Sequence, residues 1–372
     1  MNVLIIAPWQ NPVPPIVGSS VENCIYQIAK KLAQKHSVTI LSRKTKHYPS
    51  RSQEGNMTII RVSASGATGY VRAALNHVKG RHFDMIQIDN RPSYAPAVRA
   101  FFPHARISVF LHSLTFVSSP MTSRGKASRD LSHANLIVGN SRSLQSNLRS
   151  MFPKLAARVR YVHLGANLKQ FQPPSAGQRA AVRRKYGVSE RFAIVFAGRL
   201  IPRKGIPVLI KAAKIAKKSV PAVKLVIAGG TEKASYKRHL KQLAEKHGVS
   251  TRFLGYVSRS RMHEVYRMGD CMVCPSQKHE AFGLVIVESM ACGVPTIGSK
   301  IGGIPEIIRN GENGLLVSDY RNPQAFAHAI VKVYKNKTLA RKLSRQGRHD
   351  AVNKFGWGAT ASRLEAIYRK NG

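Results

Sequence analysis

Acidic residues are scarce in this chain: 17 Asp and Glu stand against 60 Lys and Arg, a formal net charge of +43 over 372 residues. The imbalance runs through the whole length, with 23 basic and 5 acidic side chains in residues 1–170 and 37 and 12 in the rest. A localised basic arm is therefore excluded, and the field attracts polyanions of any kind. Aromatic-interleaved basic runs are missing, so nucleic acid is not the expected partner. Cysteines number only four, scattered among apolar residues, which argues against a disulfide framework and for a reducing compartment. Cys271-Met-Val-Cys274 has no second cysteine pair to complete a zinc site and reads as a buried strand. No apolar run approaches a membrane span, and "MNVLIIAPW" is too short and lacks a preceding basic region, so a first strand is expected there and not a targeting segment. Also missing are a Walker A loop, a G-x-G-x-x-G after the first strand and a G-x-S-x-G elbow, which sets aside NTP hydrolysis, NAD chemistry and esterase activity.

What is present is alternation. "NVLIIAP" leads into "ENCIYQIAKKLAQK", whose Ile25, Ile28, Ala29 and Leu32 recur at helical spacing. Further strand-like runs follow, among them "SVTILS", "FDMIQIDN", "ARISVFLHS" and "ANLIVGNS". Strands this apolar suggest a parallel sheet covered on both faces. After the Pro-rich "FQPPSAGQ" (171–178) the pattern restarts with "FAIVFAGRL" and continues through "VKLVIAGG", "TRFLGYV", "CMVCPS" and "PTIGS". At 43% hydrophobic and this length, two domains are expected. The fold class is α/β, two Rossmann-like doubly wound domains facing a cleft, with ligands beyond the carboxyl ends of the strands. The boundaries are 1–170 and 171–354, with a C-terminal helix over 355–372 packing back on the first domain.

Given so few acids, two in one apolar stretch stand out: Glu280 and Glu288 in "HEAFGLVIVESMACGVPTIGS" (279–299). A buried carboxylate is costly unless paired. Residues 283–292 read as a helix, with Gly293 just past its end and Pro295 preventing its continuation. The amides of Phe282, Gly283 and Leu284, with the helix dipole, form an anion site at its start. Eight helical residues rise about 12 Å, a span that suits one elongated ligand held by a carboxylate at each end. Without a ligand, Glu280 would be a cap and Glu288 a surface residue.

The E-x7-E spacing, with "FGL" inside and "SMACGVP" after it, resembles the signature of retaining glycosyltransferases of the GT-B fold, in the family-four group that uses nucleotide sugars. "AGRLIPRKG" (197–205) resembles that family's G-R-x-x-x-x-K-G diphosphate clamp, which would give Arg199 and Lys204 the leaving diphosphate. "VFLHSL" places His112 where the family has a donor-sugar histidine. "RFLGYV" (252–257), with Phe253, Gly255 and Tyr256, is similar to the segment facing the base. "HLGANLKQF" (163–171) resembles the entry to the linker, with Asn167 in place of an Asp. "IGGIPEII" (301–308) is similar to the G-G-x-x-E segment containing Glu306, and Trp357 resembles an aromatic anchor. The family's two adjacent glycines near the N-terminus are here Gly18 and Ser19, followed by Glu22 as a first-turn acid. There is no Asp-x-Asp triplet, which fits a metal-independent enzyme with no cofactor.

The resemblance implies transfer from a nucleotide diphosphate sugar, UDP before GDP, to the hydroxyl of a sugar, lipid-linked or polysaccharide acceptor in envelope synthesis. Glu280, His112, Arg199 and Lys204 would be catalytic; Gly18, Ser19, Phe282, Gly283, Leu284, Glu288, Phe253, Gly255 and Tyr256 would bind the donor. None of the five acids in the first half stands out as a base. A cytoplasmic location follows, with room for peripheral contact with an anionic membrane or wall polymer. Two other readings stay open on the residues: a GT-B scaffold without turnover in a surface or spore-coat assembly, and a polyanion-binding protein.

Overall fold

The computed structural model describes residues 1–370. It contains two compact units, one of Met1–Leu164 joined by the chain from Trp357 onward, the other of Gly165–Gly356. No helix among the described residues is long and apolar enough to cross a membrane.

In the first unit, the apolar runs form the strands of one sheet. These are β1 (Asn2–Ile6), β2 (Ser37–Arg43), β3 (Arg51–Glu54), β4 (Met57–Val62), β5 (Met85–Asp89), β6 (Ile107–Leu111), β7 (Leu136–Gly139) and β8 (Val159–Tyr161). Their order is β3-β4-β2-β1-β5-β6-β7-β8, parallel apart from the β3–β4 pair. β5, β6 and β7 are buried at every residue, as expected of strands covered on both faces. The chain leaves β1 in one direction and returns to pair β5 on its other side, so the topological switch lies between β1 and β5. The loop after β1 is tied down from beneath. Val13 donates its N–H to Ser42 Oγ at 2.7 Å, and its carbonyl accepts from the buried Arg61 side chain at 3.0 and 3.3 Å.

The C-terminal helix, Trp357–Lys370, belongs to this unit. Tyr368 donates its hydroxyl to Gln87 Oε1 at 2.5 Å, Arg106 donates to the Tyr368 carbonyl at 2.9 Å, and Thr360 donates to the His163 carbonyl at 3.0 Å.

The second unit is built on β9 (Phe192–Ala197), β10 (Val223–Ala228), β11 (Thr251–Gly255), β12 (Cys271–Cys274), β13 (Thr296–Ser299) and β14 (Leu315–Val317). The six are parallel in the order β11-β10-β9-β12-β13-β14, so the switch point lies between β9 and β12. The Cys271–Cys274 run is a fully buried strand, and all four cysteines are buried thiols outside any disulfide. The second unit begins at Gly165, six residues before the expected boundary, because the chain from Gly165 on already packs into it. Ala166 donates its N–H to the Phe355 carbonyl at 2.7 Å, Gln170 Nε2 donates to the Arg259 carbonyl at 2.5 Å, and Phe171 lies edge-on to Tyr266 at 5.8 Å. Asn167, in place of the family's Asp, accepts from the Lys169 and Gln170 amides at 3.2 and 3.4 Å and so closes a tight turn.

Tyr368 is fully buried, and Tyr368→Phe leaves Gln87 Oε1 without its donor. The expected cost is about 1–2 kcal/mol of stability, read as a lower urea midpoint with an unchanged slope. An unchanged midpoint would show that this bond does not hold the helix.

Candidate active site

The two loops at the second switch point are made to interlock. After β9 the chain passes through Gly198 and Arg199 to a turn at Pro202–Lys204, then Gly205 opens the helix Ile206–Ala216. After β12 it runs Pro275, Ser276 and Gln277, and the Gln277 N–H donates to the Arg203 carbonyl at 2.8 Å. Gly205 has φ +70° and sits so close that a Cβ there would lie 1.9 Å from the Pro275 carbonyl oxygen. Only glycine satisfies both conditions. The loop after β13 clasps Glu280 in the same way. A Cβ on Gly302 would lie 2.2 Å from the Glu280 carbonyl oxygen, and the Gly303 N–H donates to that carbonyl at 2.8 Å. This is the structural role of the Gly-Gly of "IGGIPEII".

That clasp brings Lys204 and Glu280 together, 76 residues apart in the chain. Lys204 Nζ donates to Glu280 Oε2, and Ser276 Oγ donates to the same oxygen at 3.0 Å. The two side chains are 15% and 13% exposed. Burial pushes the Glu280 carboxyl up, but the Lys204 charge and hydrogen bond, helped by Arg203 and Ser276, outweigh it and hold the group below its ordinary value. Glu280 is thus an anion matched to a cation and not a helix cap. Arg199 sits nearby in sequence on the exposed part of the β9 loop, and its guanidinium has no partner among the described residues.

The helix spans Leu284–Ala291, with Gly283 as its left-handed N-cap at φ +104° and Gly293 left-handed just beyond its end at φ +71°. No hydrogen bond within the protein uses the Gly283 or Leu284 N–H among the described residues, which leaves both available to an anion. Phe282 is buried, its ring 6.0 Å from that of Phe355. Glu288 is buried and not on the surface. Its Oε1 accepts from Arg259 Nη2 at 2.9 Å and its Oε2 from Tyr266 Oη at 2.8 Å. Phe253 and Gly255 lie at the end of β11, with Tyr256 47% exposed just after it. Gly255 has φ +69°, and its carbonyl accepts from the Gly229 N–H at 2.8 Å.

The other predicted residues lie in the first unit, at its own switch point. His112 follows β6, and its Nε2 is 3.0 Å from Asp89 Oδ1 at the end of β5. Asp89 Oδ2 accepts from Gln87 Nε2 at 2.5 Å, and Gln87 is the residue held by Tyr368. The His112 ring is therefore oriented by a buried chain that ends in the C-terminal helix. Reading the sequence passed over Asp89, although an Asp-Asn at the end of an apolar strand, among only five acids, was a usable signal. Gly18 is exposed on the loop after β1. Ser19 is the N-cap of the helix Ser20–Leu32 but donates its hydroxyl to Glu22. Glu22 is in the first turn of that helix, as expected, and is 2% exposed; burial, against Ser19, Asn11 and Arg91, pushes its carboxyl up. Ser276, Arg259 and Tyr266 also escaped sequence reasoning; nothing in the local pattern marks them. No group of three or more His, Cys, Asp or Glu that could hold a metal occurs among the described residues.

Residues 178–350 match the family described as Glycosyl transferases group 1, and residues 21–170 match Glycosyltransferase Family 4. Spore coat protein SA of Bacillus subtilis (strain 168) is 28% identical over 380 residues, covering 100% of both chains. A D-inositol 3-phosphate glycosyltransferase of Salinispora arenicola is 32% identical over 251 residues, 64% of this chain and 55% of that one. The crystal structure of Anabaena HepE in complex with UDP has the same fold, at a TM-score of 0.82 and 20% identity, covering 100% of both chains. Two parallel Rossmann-like sheets, the E-x7-E stretch and the Gly-Arg to Lys-Gly loop are thus joined to a match over nearly the whole length, and the chain belongs to the GT-B glycosyltransferases of the family-four type.

Proposed function

We propose that the chain is a retaining, metal-independent transferase that takes the sugar from a nucleotide diphosphate sugar and delivers it to an acceptor hydroxyl. The observation that carries this reading is the Lys204–Glu280 pair at the switch point; the Arg199 guanidinium, unpartnered among the described residues, precedes Lys204 on the same loop, and the open amides of Gly283 and Leu284 follow Glu280. Lys204, Arg199 and the two amides would take the charge that grows on the diphosphate as it leaves. Glu280, fixed as an anion, would hold the sugar hydroxyls. A divalent cation would have to compete with Lys204 for that carboxylate, so protein cations fill the role a metal would have. The bond from the anomeric carbon to phosphate breaks and the bond to the acceptor oxygen forms on the same face. The acceptor proton passes to the departing phosphate oxygen. His112, oriented by Asp89, is assigned to the donor sugar, and Gly18 and Ser19 to its diphosphate.

Glu288 is assigned to the ribose hydroxyls, with Arg259 and Tyr266 fixing its position, and Phe253, Gly255 and Tyr256 to the base. UDP is the expected nucleotide, supported by the HepE complex with UDP, with GDP as the alternative. The acceptor is assigned to the envelope class, a polysaccharide or glycolipid, and the +43 charge favours anionic surfaces for the enzyme and its acceptor. A second reading rests on the relative called a spore coat protein, which matches over the full length: the fold would then serve in a surface assembly without turnover.

Release of nucleotide from a panel of UDP-, GDP- and ADP-sugars separates the two. Turnover is expected with a UDP-sugar, and UDP is expected to raise the melting temperature more than GDP or ADP. Glu280→Ala and Lys204→Ala are each expected to lower kcat about a hundredfold or more with the fold intact. Near-wild-type turnover in both variants would overturn the site assignment, and no nucleotide release from any donor would favour the assembly reading.

The pair also sets a pH signature. Glu280 has a lowered carboxyl in the folded state, so its pairing stabilises the fold above the ordinary carboxylate value and is lost as pH falls through the folded value. In Lys204→Met the buried carboxylate loses its cation, and burial then raises it. That variant is expected to cost about 3–5 kcal/mol at pH 7.5. The gap to wild type should narrow toward pH 5, where a protonated Glu280 no longer needs a partner. Paired denaturant melts at both pH values check this, and a gap independent of pH would show that Glu280 is not held by Lys204.

A further inference from the structure

The second unit carries a cavity of about 530 Å³ that the glycosyl-transfer reading does not use. Its walls include Gly269 and Asp270, which lead into β12, and Val294 and Pro295, which lead into β13. It therefore opens at the amino ends of the parallel strands, whereas Lys204 and Glu280 follow their carboxyl ends. Four guanidiniums line it, those of Arg179, Arg267, Arg345 and Arg348, against the one carboxylate of Asp270.

The bonds these arginines make fix them without neutralising most of them. Arg267 Nε donates to the Gln172 carbonyl at 2.9 Å, and Arg348 Nη1 donates to the carbonyls of Phe171 and Ala291 at 2.9 and 2.7 Å. Carbonyl partners satisfy N–H groups but cancel no charge, and among the described residues both Nη groups of Arg267 and the Nε and Nη2 of Arg348 have no hydrogen-bond partner. Asp270 is already shared, accepting from Arg179 at 2.8 Å, Arg183 at 3.1 Å and the Ala193 N–H at 2.8 Å. Arg345 has no hydrogen bond or ion pair among the described residues. Arginine stays charged under any working condition, and its planar fork matches phosphate oxygens. The prolines at 173 and 295 supply apolar wall.

From this geometry we propose that the cavity is a second ligand site, which takes a phosphate-bearing small molecule with its phosphate toward Arg345, Arg348 and Arg267. The volume lies within the range of small-molecule pockets and leaves space for an organic body beside the phosphate. Because Arg267 and Arg348 also hold the backbone at Gln172 and Phe171, a bound ligand is expected to stiffen the linker segment.

Calorimetric titration tests this with glucose 6-phosphate, inorganic phosphate and glucose as probes at constant ionic strength. Glucose 6-phosphate is expected to bind more tightly than phosphate, and glucose not at all. Arg345→Glu, which breaks no bond within the protein, should weaken binding about tenfold or more, while Lys204→Ala should leave it unchanged. Lys241→Glu, at an exposed helix position outside the cavity, serves as the charge control and should leave it unchanged as well. Hydrogen exchange should show added protection at the amides of Phe171 and Gln172, the last before two prolines. Equal weakening in Lys241→Glu and Arg345→Glu, binding lost in Lys204→Ala, or no binding of glucose 6-phosphate by wild type would each overturn the proposal.

Discussion

A carboxylate removed from water needs a partner, and at Glu280 that partner is a cation; this requirement organises the second unit around that carboxylate. Lys204 can reach it only if the loops after β9 and β12 nest, and they nest only because Gly205 lets the Pro275 carbonyl pass where a Cβ would stand 1.9 Å away. Gly302 and Gly303 close the third side, from the loop after β13. Breaking such a pair strands a buried charge, which is far more costly than the pair is stabilising. The interaction is therefore a constraint on geometry more than a source of stability. It forces backbone from three strand ends into contact at the place where a doubly wound sheet receives its ligand. If the proposed function holds, it depends on the same few ångströms of glycine backbone as the fold.

The first unit solves the same problem with a chain of hydrogen bonds. Asp89 is 1% exposed and faces His112 on one oxygen and Gln87 on the other. Gln87 in turn takes its orientation from Tyr368, in a helix 281 residues away in sequence. The C-terminal helix thus fixes, through two amide atoms and a carboxylate, which way an imidazole at a strand end points. A polar chain of this kind is specific because every member is satisfied, and leaving one donor unpaired is penalised in a low-dielectric interior.

The sequence displayed the local half of this architecture and hid the long-range half. Apolar runs marked the strands, and Gly293 and Pro295 marked the end of the helix that contains Glu288, because burial and backbone conformation leave a mark within a few residues. The nearness of Lys204 to Glu280 was legible only through a family pattern. The partners of Glu288 were not legible at all: Arg259 and Tyr266 lie 29 and 22 positions away, and in a chain with 60 basic residues nothing local selects one arginine over another. Glu22 was legible as a first-turn acid but not as a buried one, because its partner Ser19, read as a replacement for glycine, turns its hydroxyl onto that carboxylate. The unit boundary moved to Gly165 because Phe171, part of a segment that reads as linker, is fully buried.

The scarcity of acids explains where the remaining charge goes. Glu22, Asp89, Asp130, Glu288 and Asp350 are all buried, so a large share of the few carboxylates is committed to the interior and cannot balance the surface. Many arginines turn to carbonyls instead: Arg61 to Val13 and Pro49, Arg99 to Pro103 and Ala105, Arg158 to Ser132 and Ala134. A carbonyl accepts the hydrogen bond and leaves the positive charge in place. The molecule consequently projects a field that concentrates any anion near it, and attraction alone cannot distinguish a sugar nucleotide from lipid or phosphate. Discrimination has to come from a group that attracts no anion. In the proposed function that group is Glu280, whose fixed negative charge amid cations would repel a bare polyanion and accept hydrogen bonds from the several hydroxyls of a sugar.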